Sequence, residues 1–172
     1  VLEELVGKCN ETAYLAVMDG MEVVYVLMHE TSHTVRVVPR LGYRLPAYCT
    51  ASGKIQIAYE SQDRLRELFA DRPLRKRTSN TITSFDQLLA HLVQVARQEY
   101  AIDDEELEEG VRCVAAPVRD YSHKVVAGVG LSGPVSRFSP ERIQSELVPL
   151  VKAAGAKLSQ RLGYEIPGDL PT

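Results

Sequence analysis

The chain has 172 residues, of which 45% are hydrophobic and 25% charged, an average composition for a folded domain that buries about two-thirds of its unfolded surface. Its formal net charge of −3 gives no overall positive field to attract nucleic acid or an anionic membrane, so these residues are not expected to bind DNA alone. No apolar run approaches the roughly 20 residues of a membrane-spanning helix, and no signal-peptide pattern opens the chain, so a cytoplasmic location is expected.

Three cysteines, Cys9, Cys49 and Cys113, form an odd set without close spacing, which favours reduced thiols over a disulfide framework. The four histidines show no spacing typical of a metal site. Neither a metal nor a cofactor is therefore expected. The chain begins at Val1 instead of Met, which indicates a piece of a longer protein.

The first forty residues predict one helix and three strands. Val1–Lys8 has helical apolar spacing, and Thr12–Val17 and Glu22–Met28 are strand-like and rich in Tyr, Leu and Val. The Asp19-Gly20 pair between these two strands is a strong tight-turn signal. Thr34–Val38 is predicted as a third strand, ended by a proline.

A helix is predicted to begin near Thr50, where small residues precede an apolar-periodic run. Its first amides have no partners within the helix and carry partial positive charge, so a carboxylate or phosphate would bind well there. Alternatively, Thr50 or Ser52 simply caps the helix and the small residues permit close packing. A phosphate-binding loop is rejected because the spacing that such a loop requires before Gly53-Lys54 is absent.

Three further helices and a loose tail complete the flanking elements. The apolar patterns predict helices over Ser61–Ala70, from Phe85 to about Glu99, and from Pro140 to about Leu162. The basic run Arg72–Thr78 is interpreted as a solvated loop. Residues 164–172 contain two prolines and a glycine and are predicted to form a flexible tail.

The stretch Asp103–Pro134 contains an acidic run and a predicted hairpin of Val111–Val118 and Val125–Ser132. Glycine weakens a strand unless something approaches its backbone closely, and the second strand carries Gly128 and Gly130. We interpret these glycines as positions where a small molecule lies close to the strand backbone.

Three polar residues of this stretch are expected to converge on that molecule: Asp103, Cys113 and Ser132. Each has a plainer explanation. Runs of acids are usually solvated, although Asp103 directly follows strand residues; a lone buried Cys is usually a small hydrophobe; and Ser132 could merely begin a turn. The element order predicts an α+β fold, with antiparallel strands and helices on the faces.

Several separate motifs, in this order, resemble the effector-binding domain of IclR-type bacterial transcription regulators. These motifs are Thr50–Lys54, Thr78–Thr81, Tyr100–Glu106, Gly110–Val118 and Leu131–Pro134. The resemblance covers about residues 1–163. It implies a GAF-like fold with an antiparallel sheet of about six strands flanked by helices. It also implies a DNA-binding winged helix-turn-helix domain preceding these residues, assembly into dimers or tetramers, and a small organic acid as effector.

The resemblance also implies a set of ligand-binding residues. The acid would lie at the amides of Ala51 and Ser52, with Asp103, Cys113 and Ser132 lining the pocket. Some relatives have Ser where this chain has Gly130, so the pocket is expected to be roomier there. That difference disfavours a very small keto acid and leaves a sugar acid or an aromatic acid.

Function therefore has one leading hypothesis and two alternatives. The leading hypothesis is a sensor whose ligand shifts the geometry of an oligomer that controls DNA binding. The alternatives are a GAF-fold thiol enzyme that uses Cys113 and a dimerisation module without a ligand. A position in mid-strand near acids opposes a reactive thiolate, so no catalytic residue is assigned.

Overall fold

The computed structural model describes residues 1–38, 40–69 and 72–165. Within these ranges six strands form one sheet: β1 (Thr12–Asp19), β2 (Glu22–His29), β3 (Arg44–Pro46), β4 (Ala101–Asp104), β5 (Val111–Arg119) and β6 (Val125–Pro134). The helices are α1 (Leu2–Cys9), α2 (Ala51–Ile57), α3 (Gln62–Phe69), α4 (Phe85–Gln98), α5 (Pro140–Arg142) and α6 (Val148–Arg161), with a π turn at Ile143–Leu147 and a 3-10 turn at Ala47–Cys49.

The strands lie in the order β3-β2-β1-β6-β5-β4, and each neighbouring pair is antiparallel. Helices cover both faces. On one face, α1 and α6 pack on the side chains of β5 and β6 that include Val114, Val129 and Leu131. On the other, Ile55 of α2 and Val95 of α4 pack on the small residues of β4 and β5. The predicted α+β fold with six antiparallel strands is confirmed.

Most predicted elements are confirmed within one or two residues. The side chain of Thr50 caps α2, that of Ser84 caps α4 and that of Ser139 caps α5, each by accepting a backbone N–H of the first turn. Gly163, with φ +79°, follows the last helix. The predicted flexible tail falls mostly on residues 166–172, which lie outside the described ranges.

The predicted strand at Thr34–Val38 is wrong. The described residues between His29 and Arg44 form a loop, and the third strand is the three-residue β3, which pairs with the start of β2. The loop is bound to the body of the domain by side chains that local propensity cannot reveal. The Thr31 hydroxyl donates to the Asn10 carbonyl oxygen at 2.5 Å, and the Arg137 guanidinium donates to the Val35 carbonyl oxygen at 3.0 Å.

A buried ion cluster holds Arg137 in that position. The Glu11 side chain is 1% exposed and accepts two hydrogen bonds from Arg137, each of 2.8 Å, and a third from Arg142 at 2.7 Å. A buried carboxylate is stable only with such compensation. Through Arg137, Glu11 is connected to Val35 in the loop between β2 and β3.

Two helix glycines are expected to respond in opposite directions to alanine. A Cβ at Gly155 in α6 would lie 2.6 Å from the Pro117 carbonyl oxygen of β5, so Gly155→Ala should destabilise the protein by about 1–3 kcal/mol. A Cβ at Gly7 in α1 would meet nothing within 4 Å, and Gly7→Ala should stabilise by about 0.5–1 kcal/mol. Urea denaturation measures both; equal effects would contradict the close contact of α6 with β5.

The helices and the metal-ligating side chains of the described ranges show two further features. No helix there is both long and apolar enough to cross a membrane. No group of three or more His, Cys, Asp or Glu side chains in the same ranges could hold a metal ion.

Candidate functional site

Asp103, Cys113 and Ser132 lie side by side on three neighbouring strands. Asp103 of β4 is directly opposite Cys113 of β5, and Cys113 is directly opposite Ser132 of β6. Directly opposed residues of antiparallel strands point to the same face of the sheet, here the face covered by α2 and α4. The structure thus brings together the three polar residues of the central stretch, at 1%, 7% and 2% exposure.

A cavity of about 370 Å³ opens beside Cys113 and Ser132. Its apolar wall consists of Val37, Val38, Leu45, Leu107 and Val111. Tyr25 and Tyr43 add aromatic surface, and the exposed residues Arg40 and Glu108 complete the lining. The loop between β2 and β3 therefore supplies much of the wall, and neither Ala51, Ser52, Asp103 nor Gly130 is among the lining residues described.

The amino end of α2 packs against the sheet instead of enclosing the cavity. A Cβ at Gly128 would lie 3.0 Å from the Ser52 carbonyl oxygen, so the backbone of β6 touches the first turn of α2. The Thr50 hydroxyl accepts the Gly53 N–H at 3.3 Å, and Ala51 and Ser52 are 1% and 0% exposed. The interpretation of Gly128 as the place where a ligand approaches is therefore wrong, since helix backbone makes that approach.

Gly130 accommodates an aromatic ring. A Cβ there would lie 2.6 Å from Cζ and Oη of Tyr14, the residue directly opposite on β1. Tyr14 is 1% exposed and stacks edge-on against Tyr25, with ring centroids 5.0 Å apart. The extra room expected at Gly130 is absent, because the Tyr14 side chain fills it.

Asp103 has a structural role as well as a place near the cavity. Its Oδ1 accepts the backbone N–H groups of Glu106 at 2.8 Å and Leu107 at 3.3 Å, which closes the turn after β4. Burial raises the pKa of Asp103 from 3.8 to about 7, although the nearby Lys54 ammonium opposes the rise. This carboxyl therefore changes its charge near neutral pH.

Lys54 and Glu106 form a buried ion pair behind Asp103. The Lys54 side chain is 0% exposed; its Nζ donates to Glu106 Oε1 and, at 2.6 Å, to the Ile102 carbonyl oxygen. The carbonyl oxygen of Glu106 in turn accepts the Thr81 hydroxyl at 2.7 Å. The pair connects α2 to the turn that positions Asp103.

The Cys113 thiol is in an environment that suppresses the thiolate. Burial, followed by the nearby Asp103 carboxylate, raises the pKa of Cys113 well above its ordinary value of 9.0. A nucleophilic or redox-active cysteine needs the opposite change.

Four buried polar atoms have no hydrogen-bond partner among the described residues: Ser52 Oγ, Ser132 Oγ, Glu106 Oε2 and His91 Nε2. Such atoms are rare in folded proteins because each loses its hydration without compensation. Ser132 is the one of these four residues that lines the cavity, and no described residue uses the hydrogen-bonding capacity of its hydroxyl.

A family model of the bacterial transcriptional regulator IclR C-terminal domain matches residues 1–160. The chain belongs to the IclR family. The regulator KdgR of Escherichia coli strain K12 is 38% identical over 163 residues, which cover 95% of this chain and 62% of KdgR. The IclR-family domain thus spans less than two-thirds of that relative.

Solved structures agree with this membership. The Thermotoga maritima IclR has a TM-score of 0.89 at 35% identity, over 95% of this chain and 66% of that one. A double mutant of the Acinetobacter PobR inducer-binding domain, in complex with 3-hydroxybenzoic acid, has a TM-score of 0.85 at 28% identity, over 92% and 93% of the two chains.

Several residues of this IclR-family site are missed by sequence reasoning. Tyr14 and Tyr25 look like ordinary strand aromatics, although both sit at alternating inward positions. Lys54 looks like a solvated helix lysine, and Glu106 like one acid of a solvated run. Lys54 is buried because α2 is buried along its whole length. The sequence around Lys54 gives little sign of this burial.

Proposed function

We propose that this IclR-family domain binds a small organic acid and transmits binding to the DNA-binding part of a transcription regulator. The single observation that carries the proposal is the cavity lined by Cys113 and Ser132, because the buried Ser132 hydroxyl has no hydrogen-bond partner among the described residues. Largely apolar cavities with a few placed polar groups are typical ligand sites. Membership of the IclR family and the carboxylic acid held by the PobR relative support an acid as ligand.

The predicted site residues have different parts in the proposal. Cys113 and Ser132 contact the ligand, and Asp103 sets the charge next to them. Ala51 and Ser52 are 1% and 0% exposed and are not among the described lining residues, so no direct contact with the ligand is proposed for them. Gly130 contributes indirectly, by giving Tyr14 its space.

The proposed mechanism is a shift between arrangements of a dimer or tetramer. DNA would be bound by a winged helix-turn-helix domain outside these 172 residues, and the protein would act where the bacterial DNA lies, in the cytoplasm. Only a difference in ligand affinity between two arrangements moves their equilibrium; a shift from 1:99 to 99:1 needs about 5.5 kcal/mol. Part of the cavity wall comes from the loop between β2 and β3, so a difference in the position of that loop between the two arrangements would change the ligand affinity.

We do not propose a thiol enzyme. Burial and then the Asp103 carboxylate raise the pKa of Cys113, which leaves little thiolate near neutral pH. Replacing Cys113 by Ser is expected to alter ligand affinity modestly, with no turnover in either form.

Thermal denaturation with a panel of keto, sugar and aromatic acids tests the proposal. At least one acid should raise Tm, since a ligand at 100 times its Kd stabilises by about 2.7 kcal/mol. Val111→Trp, which fills the cavity from its wall, should abolish the shift, whereas Val93→Trp on the exposed face of α4 should keep it. A flat response to every acid would contradict the proposal and favour a dimerisation module without a ligand.

A further inference from the structure

The loop between β2 and β3 is attached to the body of the domain near the end of α1. Val37 and Val38 of this loop line the cavity, whereas α1 packs on the other face of the sheet. Asn10, which follows α1, and Arg137, which pairs with Glu11, both form hydrogen bonds with the loop. The cavity wall and α1 are therefore connected although the sheet lies between them.

Asn10 ends the helix and also binds the loop. Its backbone is left-handed, with φ 53°, and its N–H donates to the Val6 carbonyl oxygen at 2.7 Å, which closes the last turn of α1. Its side-chain Oδ1 accepts the backbone N–H of Ser32 at 3.2 Å and the Ser32 hydroxyl at 3.0 Å. A movement of the loop at Ser32 therefore acts on the residue that closes the helix.

Glu11 provides a second connection, because two arginines share its buried carboxylate. Arg137 also donates to the Val35 carbonyl oxygen of the loop at 3.0 Å. Arg142 also donates to the carbonyl oxygen of Cys9, the last residue of α1, at 2.9 Å. The carboxylate holds both guanidinium groups in place, since moving either of them leaves its buried charge less compensated.

We infer that Asn10 and Glu11 couple the cavity to α1, so that an occupant that holds the loop also holds the last turn of the helix. The inference rests on the proposed function and names how occupancy of that site is transmitted. Under the proposed function the DNA-binding part precedes these residues, and α1 is the described helix closest to it in the chain. Hydrogen-bond networks between two elements can carry such coupling, and the coupling acts in both directions.

Amide hydrogen exchange, followed by NMR on the ligand-free 172-residue chain, tests the coupling. Val37→Asp places a charge on the apolar cavity wall, which should drive the loop towards water and break its bonds with Asn10. The exchange rate of the Asn10 amide should then rise by about fivefold, because a local opening becomes easier when its restraining contacts are lost.

The chain offers a matched control amide and a matched control variant. Glu99 closes α4 in the same left-handed conformation, with φ 59°, and its N–H donates to the Val95 carbonyl oxygen at 3.0 Å. Its amide should respond to Val37→Asp by less than about twofold, because no described contact joins it to the loop. Val93→Asp, at a residue of α4 that is 48% exposed, should leave the Asn10 amide unchanged.

Removing the Asn10 side chain tests the route. Asn10→Gly keeps the left-handed backbone, which glycine adopts without strain, and removes the bonds to Ser32. Adding Val37→Asp to this variant should raise the exchange rate at position 10 by only about half as much as in the wild-type chain, or less. An equal rise in both backgrounds would overturn the inference, as would a rise in the wild-type chain no larger than that of the Glu99 amide.

These outcomes are separate from those of the thermal panel. A response at Asn10 together with a flat panel would overturn the proposed function and leave the connection between loop and helix standing. A positive panel without a response at Asn10 would overturn the inference and leave an organic-acid sensor.

Discussion

Replacing Lys54 by Met is expected to lower the free energy of unfolding by about 3–5 kcal/mol, because it leaves a buried carboxylate without its partner. Glu106 is 6% exposed, and one of its oxygens already lacks a hydrogen bond. The Ile102 carbonyl oxygen loses its Lys54 donor as well. Urea denaturation at neutral pH measures the change.

Two further variants show whether burial is the cause. Lys8→Met removes an ion pair with Glu4 whose lysine side chain is 54% exposed, and should change stability by less than about 1 kcal/mol. The double replacement Lys54→Met with Glu106→Leu should recover much of the loss, since apolar pairs often replace buried ion pairs without cost. Equal effects of the two lysine replacements would contradict a buried pair.

Asp103→Asn is expected to remove a fall in stability between about pH 4 and pH 7. Because burial raises the pKa of Asp103 from 3.8 to about 7, the folded state binds the proton more tightly than the unfolded state throughout that range. Stability therefore decreases as pH rises from about 4 and levels off above about 7. At about 1.4 kcal/mol for each pH unit between the two pKa values, the loss reaches roughly 4 kcal/mol.

Asn keeps the geometry while removing the charge, because its amide oxygen can still accept the N–H groups of Glu106 and Leu107. Urea denaturation of both proteins at intervals from pH 4 to pH 8 gives the difference curve. His91, whose pKa burial lowers to about 4, is present in both proteins, so its titration cancels in the difference curve. Parallel curves for the two proteins would show that Asp103 ionises as a solvated acid.

The sequence predicts the sheet and helices well, because local signals determine them. The Tyr, Leu and Val residues of β1 and β2, with the Asp19-Gly20 turn between them, indicate that hairpin, and the caps Ser84 and Ser139 mark helix starts. The loop between β2 and β3 was mispredicted because Arg137, about one hundred residues away in the chain, holds Val35. Long-range side-chain bonds leave no local pattern.

Part of the candidate site is predictable, because it follows from the pairing of strands that local signals already indicate. Once β4, β5 and β6 pair, register alone brings Asp103, Cys113 and Ser132 together. The prediction that a ligand approaches Gly128 and Gly130 failed, because a glycine in a strand indicates a close approach without identifying the group that approaches. At Gly130 it is the Tyr14 ring, and only the assembled sheet reveals that partner.

Methyl NMR of the 172-residue chain, during titration with an organic acid that raises its Tm, shows whether the acid occupies this cavity. The methyl resonances of Val37, Val38, Leu45, Leu107 and Val111 should shift together and saturate with a single Kd. Those of Leu89 and Val93, which line a separate groove on α4, should stay in place. Saturable shifts confined to that groove, with the cavity methyl groups unmoved, would contradict the account.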